Sequence, residues 1–408
     1  MSTFTILQQP LQYTPVYNDI NYVVSSSNNG QVNFNYIFDV KINGTLISRH
    51  RIPARPDNGY GLFNAKRIAE TYISQTINFD QITVTNSSES ILALVIECRE
   101  EFGSTPVLSP LLATSSTVYC WNAILNYPPW VNYSVNWFRQ MTNEIDVSQL
   151  LTNNFINKIK ITEKAFLSVL VGEANAVIKI GVFAKDASGT NIQVTYILNP
   201  FAAVSNTASR FITFPAGAVN LNQILNANLD PATQNQGNII PSNTSWYEIR
   251  TYGTLSASKV YRYNITEVCS KHTPVRLHFL NAFGGWDSFT FDLLNTFTSN
   301  IERKEYRQNL GGFVGSTYTY DIKDRSATIF DTQIKTIQTL NSNWITDSEA
   351  GWLEQLLTSP DVYMEVGTQL QAVNITDSSY TQKKTVNDQL FNLTVTIEKS
   401  FLKHRQRG

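Results

Sequence analysis

The sequence predicts a mostly β chain, built of several β-sandwich-type modules with a few short helices. Three observations lead there. Apolar residues recur at every second position in many short runs, as in Phe34, Tyr36, Phe38, Val40 and Ile42, the period of a half-buried strand. Clusters of Asn, Gly, Pro and Ser punctuate those runs, as turns require. Only two stretches carry the spacing of an amphipathic helix together with a recognisable start. The chain has 408 residues, and one hydrophobic core rarely grows past ~250–300. Three modules are therefore expected: an N-terminal sandwich-like domain with one short helix over 1–139, a β-rich and loop-rich middle domain over 140–268, and a C-terminal β-domain with one capped helix over 269–408.

The elements follow in chain order. Asn33 to Ile42 alternates and ends at Asn43-Gly44, a dipeptide that tolerates positive φ at both central positions of a tight hairpin. The pattern resumes at Leu46 and Ile47, and the Pro/Gly-rich stretch Pro53 to Gly61 reads as loop. A short helix is expected next, with Ala65, Ile68, Ala69, Tyr72 and Ile73 on one face and Asn64 as its N-cap. Gln81–Thr85 and Ser90–Arg99 read as strands, the second apolar enough to be central. In the middle third, Ala165–Val171, Ala176–Ala184, Ile192–Ile197, Trp246–Tyr252 and Lys259–Glu267 alternate as strands. Asn199 to Asn243, rich in Asn, Ala and Gln, reads as long loops with one helical turn near Leu221 to Ala227. In the last third, Val275–Leu280 and Phe289–Leu293 are strands around the turn Asn281 to Gly285, and further turns fall at Asn309–Gly312 and Gly315. Thr328–Leu340 is a long alternating run. The second helix starts at the capping box Thr346-x-x-Glu349, carries Trp352, Leu353, Leu356 and Leu357 as its stripe, and stops at Pro360. Strands near Val362–Glu365, Gln371–Ile375 and Phe391–Ile397 complete the chain.

Composition narrows the function. Charged residues are only 15%, against ~25% on average. Neutral amides and hydroxyls must cover the surface, and these cost far less to bury than charges. Extensive subunit contact is expected, and hence a homo-oligomer. The net charge of −1 argues against a nucleic-acid face, which needs a basic excess. The one basic cluster is the C-terminal tail, Lys399, Lys403, His404, Arg405 and Arg407. It reads either as a solvated, frayed end or as a salt-bridging peg into a neighbour. No run reaches the ~18 apolar residues of a membrane span, and the N-terminus lacks the pattern of a secretory signal. Three cysteines, Cys98, Cys120 and Cys269, do not suggest a disulfide framework.

Catalytic patterns are not expected. His50, His272, His278 and His404 form no metal-ligand spacing. Gly311-Gly312-x-x-Gly315 lacks the lysine of a phosphate loop. The carboxylate pairs Glu100/Glu101 and Asp321/Asp324 are the only handle for a glycan hydrolase, and adjacent acids on a β protein are usually just solvated. No cofactor is implied. Trp121, Trp130 and Trp137 lie close together in sequence; such a cluster either stacks sugars or fills a domain boundary or interface.

Two stretches are more specific than periodicity. Arg55-Pro56-Asp57-Asn58-Gly59-Tyr60-Gly61-Leu62-Phe63-Asn64 and Arg276-Leu277-His278-Phe279-Leu280-Asn281-Ala282-Phe283-Gly284-Gly285-Trp286-Asp287-Ser288-Phe289-Thr290-Phe291 resemble a P-D-N-G-Y-G-x-F-D loop and an L-x-F-L-N-x-x-G-G-x-D-x-F-x-F hairpin. Both motifs occur in structural proteins of bacteriophages infecting Bacteroidota. The capped helix and Asn387 to Asn392 are similar to the same group. The resemblance covers the outer thirds and implies a non-enzymatic virion protein of the tail or neck. Its implied partners are copies of itself and other virion proteins, with no catalytic residue to carry over. The rival expectation is a receptor-binding or head/tail fibre protein that recognises host-surface glycan through the middle domain. The residues singled out as interface or structural anchors are Asp57, Asn58, Gly59, Trp121, Trp130, Trp137, Gly284, Gly285, Trp286, Arg405 and Arg407.

Overall fold

A computed structural model describes residues 3–126, 150–172, 176–254, 257–266, 271–377, 390–401 and 403–404. Strands hold 50% of the described residues and helical elements 9%, so the protein is a mostly β assembly of sandwich-type modules. It divides into two compact units, Met1–Val268 with Leu280–Asp287, and Cys269–Phe279 with Ser288–Gly408. The 139/140 boundary expected from sequence lies outside the described residues.

The first unit contains two sandwiches. In one, the strands Tyr13–Pro15, Val118–Trp121, Ile91–Phe102, Asn35–Ile42 and Thr45–Pro53 lie side by side in that order. The sheet packs on a smaller one of Phe4–Gln8, Asn21–Ser26 and Gly61–Asn64. Alternation explains the fit: Tyr36, Phe38, Val40 and Ile42 meet Tyr22 and Val24 in one core, and Phe38 stacks on Phe63 with ring centroids 5.0 Å apart. The hairpin at Asn43-Gly44 forms as expected, with φ of 49° and 85°, and the Ile91–Phe102 strand is central. In the other sandwich, Ile156–Ile159, Tyr261–Ile265, Trp246–Gly253, Val177–Lys185 and Asn191–Leu198 face a sheet of Phe166–Leu170, Phe211–Pro215 and Thr85–Asn86. A further cluster of Tyr13, Ile91, Trp121, Leu151, Leu170 and Phe211 joins residues of both.

Several details differ from expectation. The short helix is a single turn, Lys66–Ala69, followed by a 3-10 turn, Glu70–Tyr72. Asn64 ends a strand, and its Oδ1 accepts from the backbone N–H groups of both Ile20 and Lys66. Tyr72 is exposed. The expected strand Gln81–Thr85 shrinks to Thr85–Asn86. Gln81 instead spends its side-chain N–H groups on Thr83 and Thr213 carbonyls and the Thr85 hydroxyl. Within the Asn-rich stretch, Phe211–Pro215 is a strand and the helical turn is Ala218–Asn222.

The second unit carries most of an eight-stranded sheet. Its order is Trp286–Phe291, Val275–Leu280, Val362–Val366, Gln369–Ile375, Leu390–Lys399, Ala327–Thr346 and Thr296–Arg307, with Lys403–His404 paired to Ala327–Thr346. The helix Asp347–Thr358 covers one face. Its capping box forms, with the Thr346 hydroxyl accepting from the Glu349 N–H and the Glu349 carboxylate accepting from the Thr346 N–H. Trp352, Leu353 and Leu356 pack on Leu277, Phe279, Leu340 and Val395. The strand expected at Phe289–Leu293 begins earlier, at Trp286, and Thr328–Leu340 is part of the twenty-residue strand Ala327–Thr346. A twelve-residue strand, Thr296–Arg307, and a small hairpin of Gly312–Val314 and Thr317–Thr319 were not foreseen.

Candidate assembly interface

The residues singled out by sequence divide into an internal and an external set. Trp121 is fully buried, and its indole N–H donates to the Phe283 carbonyl at 3.0 Å. Phe283 belongs to the turn Asn281 to Gly285, which folds around Asn281: its Oδ1 accepts from the N–H groups of Phe283 and Gly285, and its Nδ2 donates to the Leu151 carbonyl at 2.7 Å. The Ile124 N–H donates to the Ala282 carbonyl. Gly284 and Gly285 are required by proximity. A Cβ at Gly284 would lie 2.1 Å from the Asn122 carbonyl oxygen, and one at Gly285 would lie 2.4 Å from that of Leu151. Trp286 is buried beside them. Four of the singled-out residues thus form a clasp inside the first unit. Trp121 offers no open ring face for a sugar; it fills a core.

The external set is the loop at Asp57, Asn58 and Gly59. Tyr36 donates its hydroxyl to the Gly59 carbonyl at 2.7 Å, and the Arg55 N–H donates to the Tyr60 carbonyl. The Arg55 guanidinium bonds Asp57 and holds its carboxyl below the usual range. Trp130, Trp137, Arg405 and Arg407 lie outside the described residues.

Polar chemistry concentrates around His278, which is fully buried. Its Nδ1 is 2.7 Å from the Ser288 hydroxyl, and its Nε2 is 2.6 Å from Glu365 Oε1. Arg276 reaches the same carboxylate at 3.4 Å and donates to the Thr290 hydroxyl. The partners of His278 arrive from neighbouring strands, which its place in the sequence does not announce. A serine, an imidazole and a carboxylate in a row invite comparison with a hydrolytic triad. Ser288 is only 5% exposed, and a nucleophile must be reachable by the carbonyl it attacks. The row ties three strands together by satisfying polar groups that would be costly to leave unmade. Among the described residues, no group of three His, Cys, Asp or Glu side chains is placed to hold a metal ion, and no helix is long and apolar enough to cross a membrane.

On the first sandwich, the sheet face opposite the core is a charged ladder. Arg49 clamps Asp39 through two bonds of 2.6 and 2.7 Å, which raises the guanidinium pKa further. Arg51 pairs with Glu101 and Lys41 with Glu97. A shallow cavity of about 360 Å³ is lined by Ile37, Arg49, Arg51, Glu101 and Leu108. Its arginines already have carboxylate partners within the ladder.

The second unit presents a different kind of surface. Every residue of Thr296–Arg307 is exposed, and so is every residue of Gly312–Val314 and Thr317–Thr319. Arg303–Arg307 pairs with Ala327–Thr332, a stretch with no third strand among the described residues, so the outer end of the sheet edge is a two-stranded ribbon that leads into the small hairpin. Large apolar side chains stand along Thr296–Arg307, the hairpin and the chain that follows it: Phe297 is 66% exposed, Phe313 75%, Val314 71%, Tyr320 74%, and Ile322 completely. Rings of Phe313, Tyr318 and Tyr320 meet edge to face, with centroids 4.9 and 5.3 Å apart. An isolated two-stranded ribbon is at best marginally stable in water, and a concentration of exposed apolar groups marks a surface that meets another. Periodicity does not reveal this strand because it buries nothing, so selection for alternation is absent. The signal that was present is the pair of turn clusters at Gly311-Gly312 and Gly315, followed by the alternating Thr317-Tyr318-Thr319-Tyr320.

No model of a known protein family matches the chain, and no curated protein matches it.

Proposed function

We propose that this chain is a non-enzymatic structural protein of a bacteriophage particle. Its place is the tail or neck, where copies assemble into an oligomeric ring or sleeve. The observation that carries the reading is the exposed ribbon of the second unit, with Phe313, Val314, Tyr320 and Ile322 in solvent. Burying those side chains against another subunit would release roughly 25 cal/mol for each Å² removed from water. The low charge content supports the same reading, because a surface of neutral amides costs little to desolvate. The resemblance of the Asp57-Asn58-Gly59 loop and the Gly284-Gly285 hairpin to phage structural proteins supplies the particle. The mass of the full chain in solution, by light scattering with negative-stain imaging, tests it. A fixed oligomer or closed ring is expected. A monodisperse monomer at high concentration that no protein of the same particle recruits would sink the proposal.

A further inference from the structure

We propose that the Thr296–Arg307 strand pairs antiparallel with the same strand of a second copy, across a two-fold axis at Ile301. The inference rests on the assembly reading and names the partner of the same ribbon. Thr296–Arg307 ends the order of its sheet among the described residues. Alternate residues of such an edge turn their N–H and C=O groups outward, a template for another strand. The pairing shift at Lys304/Glu305 leaves Phe330 as the extra residue, since Lys304 faces Asp331 and Glu305 faces Ile329. The bulge therefore sits on the inner strand, and the edge strand stays regular.

Symmetry and charge then select the register. Two identical strands side by side in one sheet are related by an axis perpendicular to that sheet, which keeps each side chain on its own face. Side chains alternate between faces, so directly opposed residues must share parity and the axis must pass through a residue. For Thr296–Arg307 the longest overlaps centre on Ile301 or Glu302. Centring on Glu302 sets two carboxylates face to face, and centring on Arg303 or Lys304 does the same with cations; like charges directly opposite are destabilising. Centring on Ile301 places Glu302, Arg303, Lys304 and Glu305 opposite Asn300, Ser299, Thr298 and Phe297. No like charges are opposed, and two isoleucines meet on the axis. The strand is neutral in its first half and charged in its second, which is what makes this register available. A contact of this kind is self-complementary and closes after two copies, so any larger assembly has an even number of chains.

The test uses the full chain with Ile301→Lys, Ile301→Asp and Ile301→Cys. Ile301 is 46% exposed, so the fold is expected to survive, as an unchanged urea midpoint would verify. Each charged variant alone is expected to associate more weakly by roughly tenfold or more, while an equimolar mixture of the two recovers the wild-type mass. Mild oxidation of the cysteine variant is expected to give covalent dimers, which keeps the proposal testable if either charged variant misfolds. Wild-type association by both charged variants, an odd-numbered assembly, or a mixture that stays apart would each overturn the pairing and leave the assembly reading standing. Failure of the wild-type chain to associate with itself or with particle partners would remove both.

Discussion

Gly44 and Gly284 share a backbone conformation, with φ of 85° and 86°, and differ in what surrounds them. Nothing lies within 4 Å of where a Cβ would stand at Gly44, whereas at Gly284 the Asn122 carbonyl is in the way. Gly44→Ala should therefore cost only the conformational strain, about 1 kcal/mol. Gly284→Ala should cost ~3 kcal/mol or more, because backbone on both sides must shift. Urea unfolding of the two variants side by side checks the difference. His278→Ala removes the group between Ser288 and Glu365 and should lose roughly 1–3 kcal/mol; an unchanged midpoint would mean the row of polar groups is not structural. Turn chemistry is the part of this scale that the sequence reveals, since a positive φ is a local demand. The meeting of Trp121 with Phe283 is not local: 162 positions separate them, and nothing near either residue announces the other.

Elements were legible in proportion to what they bury. The strand Asn35–Ile42 alternates because one face lies in a core, and the helix Asp347–Thr358 announces itself through a cap and an apolar stripe. Thr346→Ala should cost about 1 kcal/mol, through the lost bond to the Glu349 N–H. Trp352→Ala should cost roughly 3–5 kcal/mol, through the space left against Phe279 and Phe289. Thermal unfolding should rank the two in that order. Thr296–Arg307 buries no side chain and Phe211–Pro215 buries nearly all of its own; each departs from the half-buried pattern that periodicity detects. Gln81–Thr85 fails for another reason: its apolar pattern was short, and a buried glutamine side chain took the bonds a ladder would have used.

For the whole molecule, burial sets the response to pH. Burial pushes the Cys98 thiol up to about 12 and raises Cys120, Tyr22 and Tyr261 above their ordinary values. In the unfolded chain these groups ionise near ~8.5 for thiols and ~10 for phenols. Above those values the unfolded state has released protons that the folded state still holds, so stability falls as pH rises. The urea midpoint should be level from neutral pH to about 8 and decline through the alkaline range. Alkylation of Cys98 and Cys120 at pH 8 should be undetectable by peptide mass mapping until urea is added. Association driven by neutral amides and aromatic groups should persist at high salt, because screening acts on exposed charges; light scattering across a sodium chloride series measures it.

The division of the chain has a topological corollary. The chain passes between the two units at Val268–Cys269, again at Phe279–Leu280 and again at Asp287–Ser288. The units are thus joined by three covalent crossings rather than one. Severing any one leaves the other two intact. Two of the three run through adjacent strands whose shared turn is locked by Asn281 and Trp121, so those two crossings lead into a turn fixed by buried hydrogen bonds.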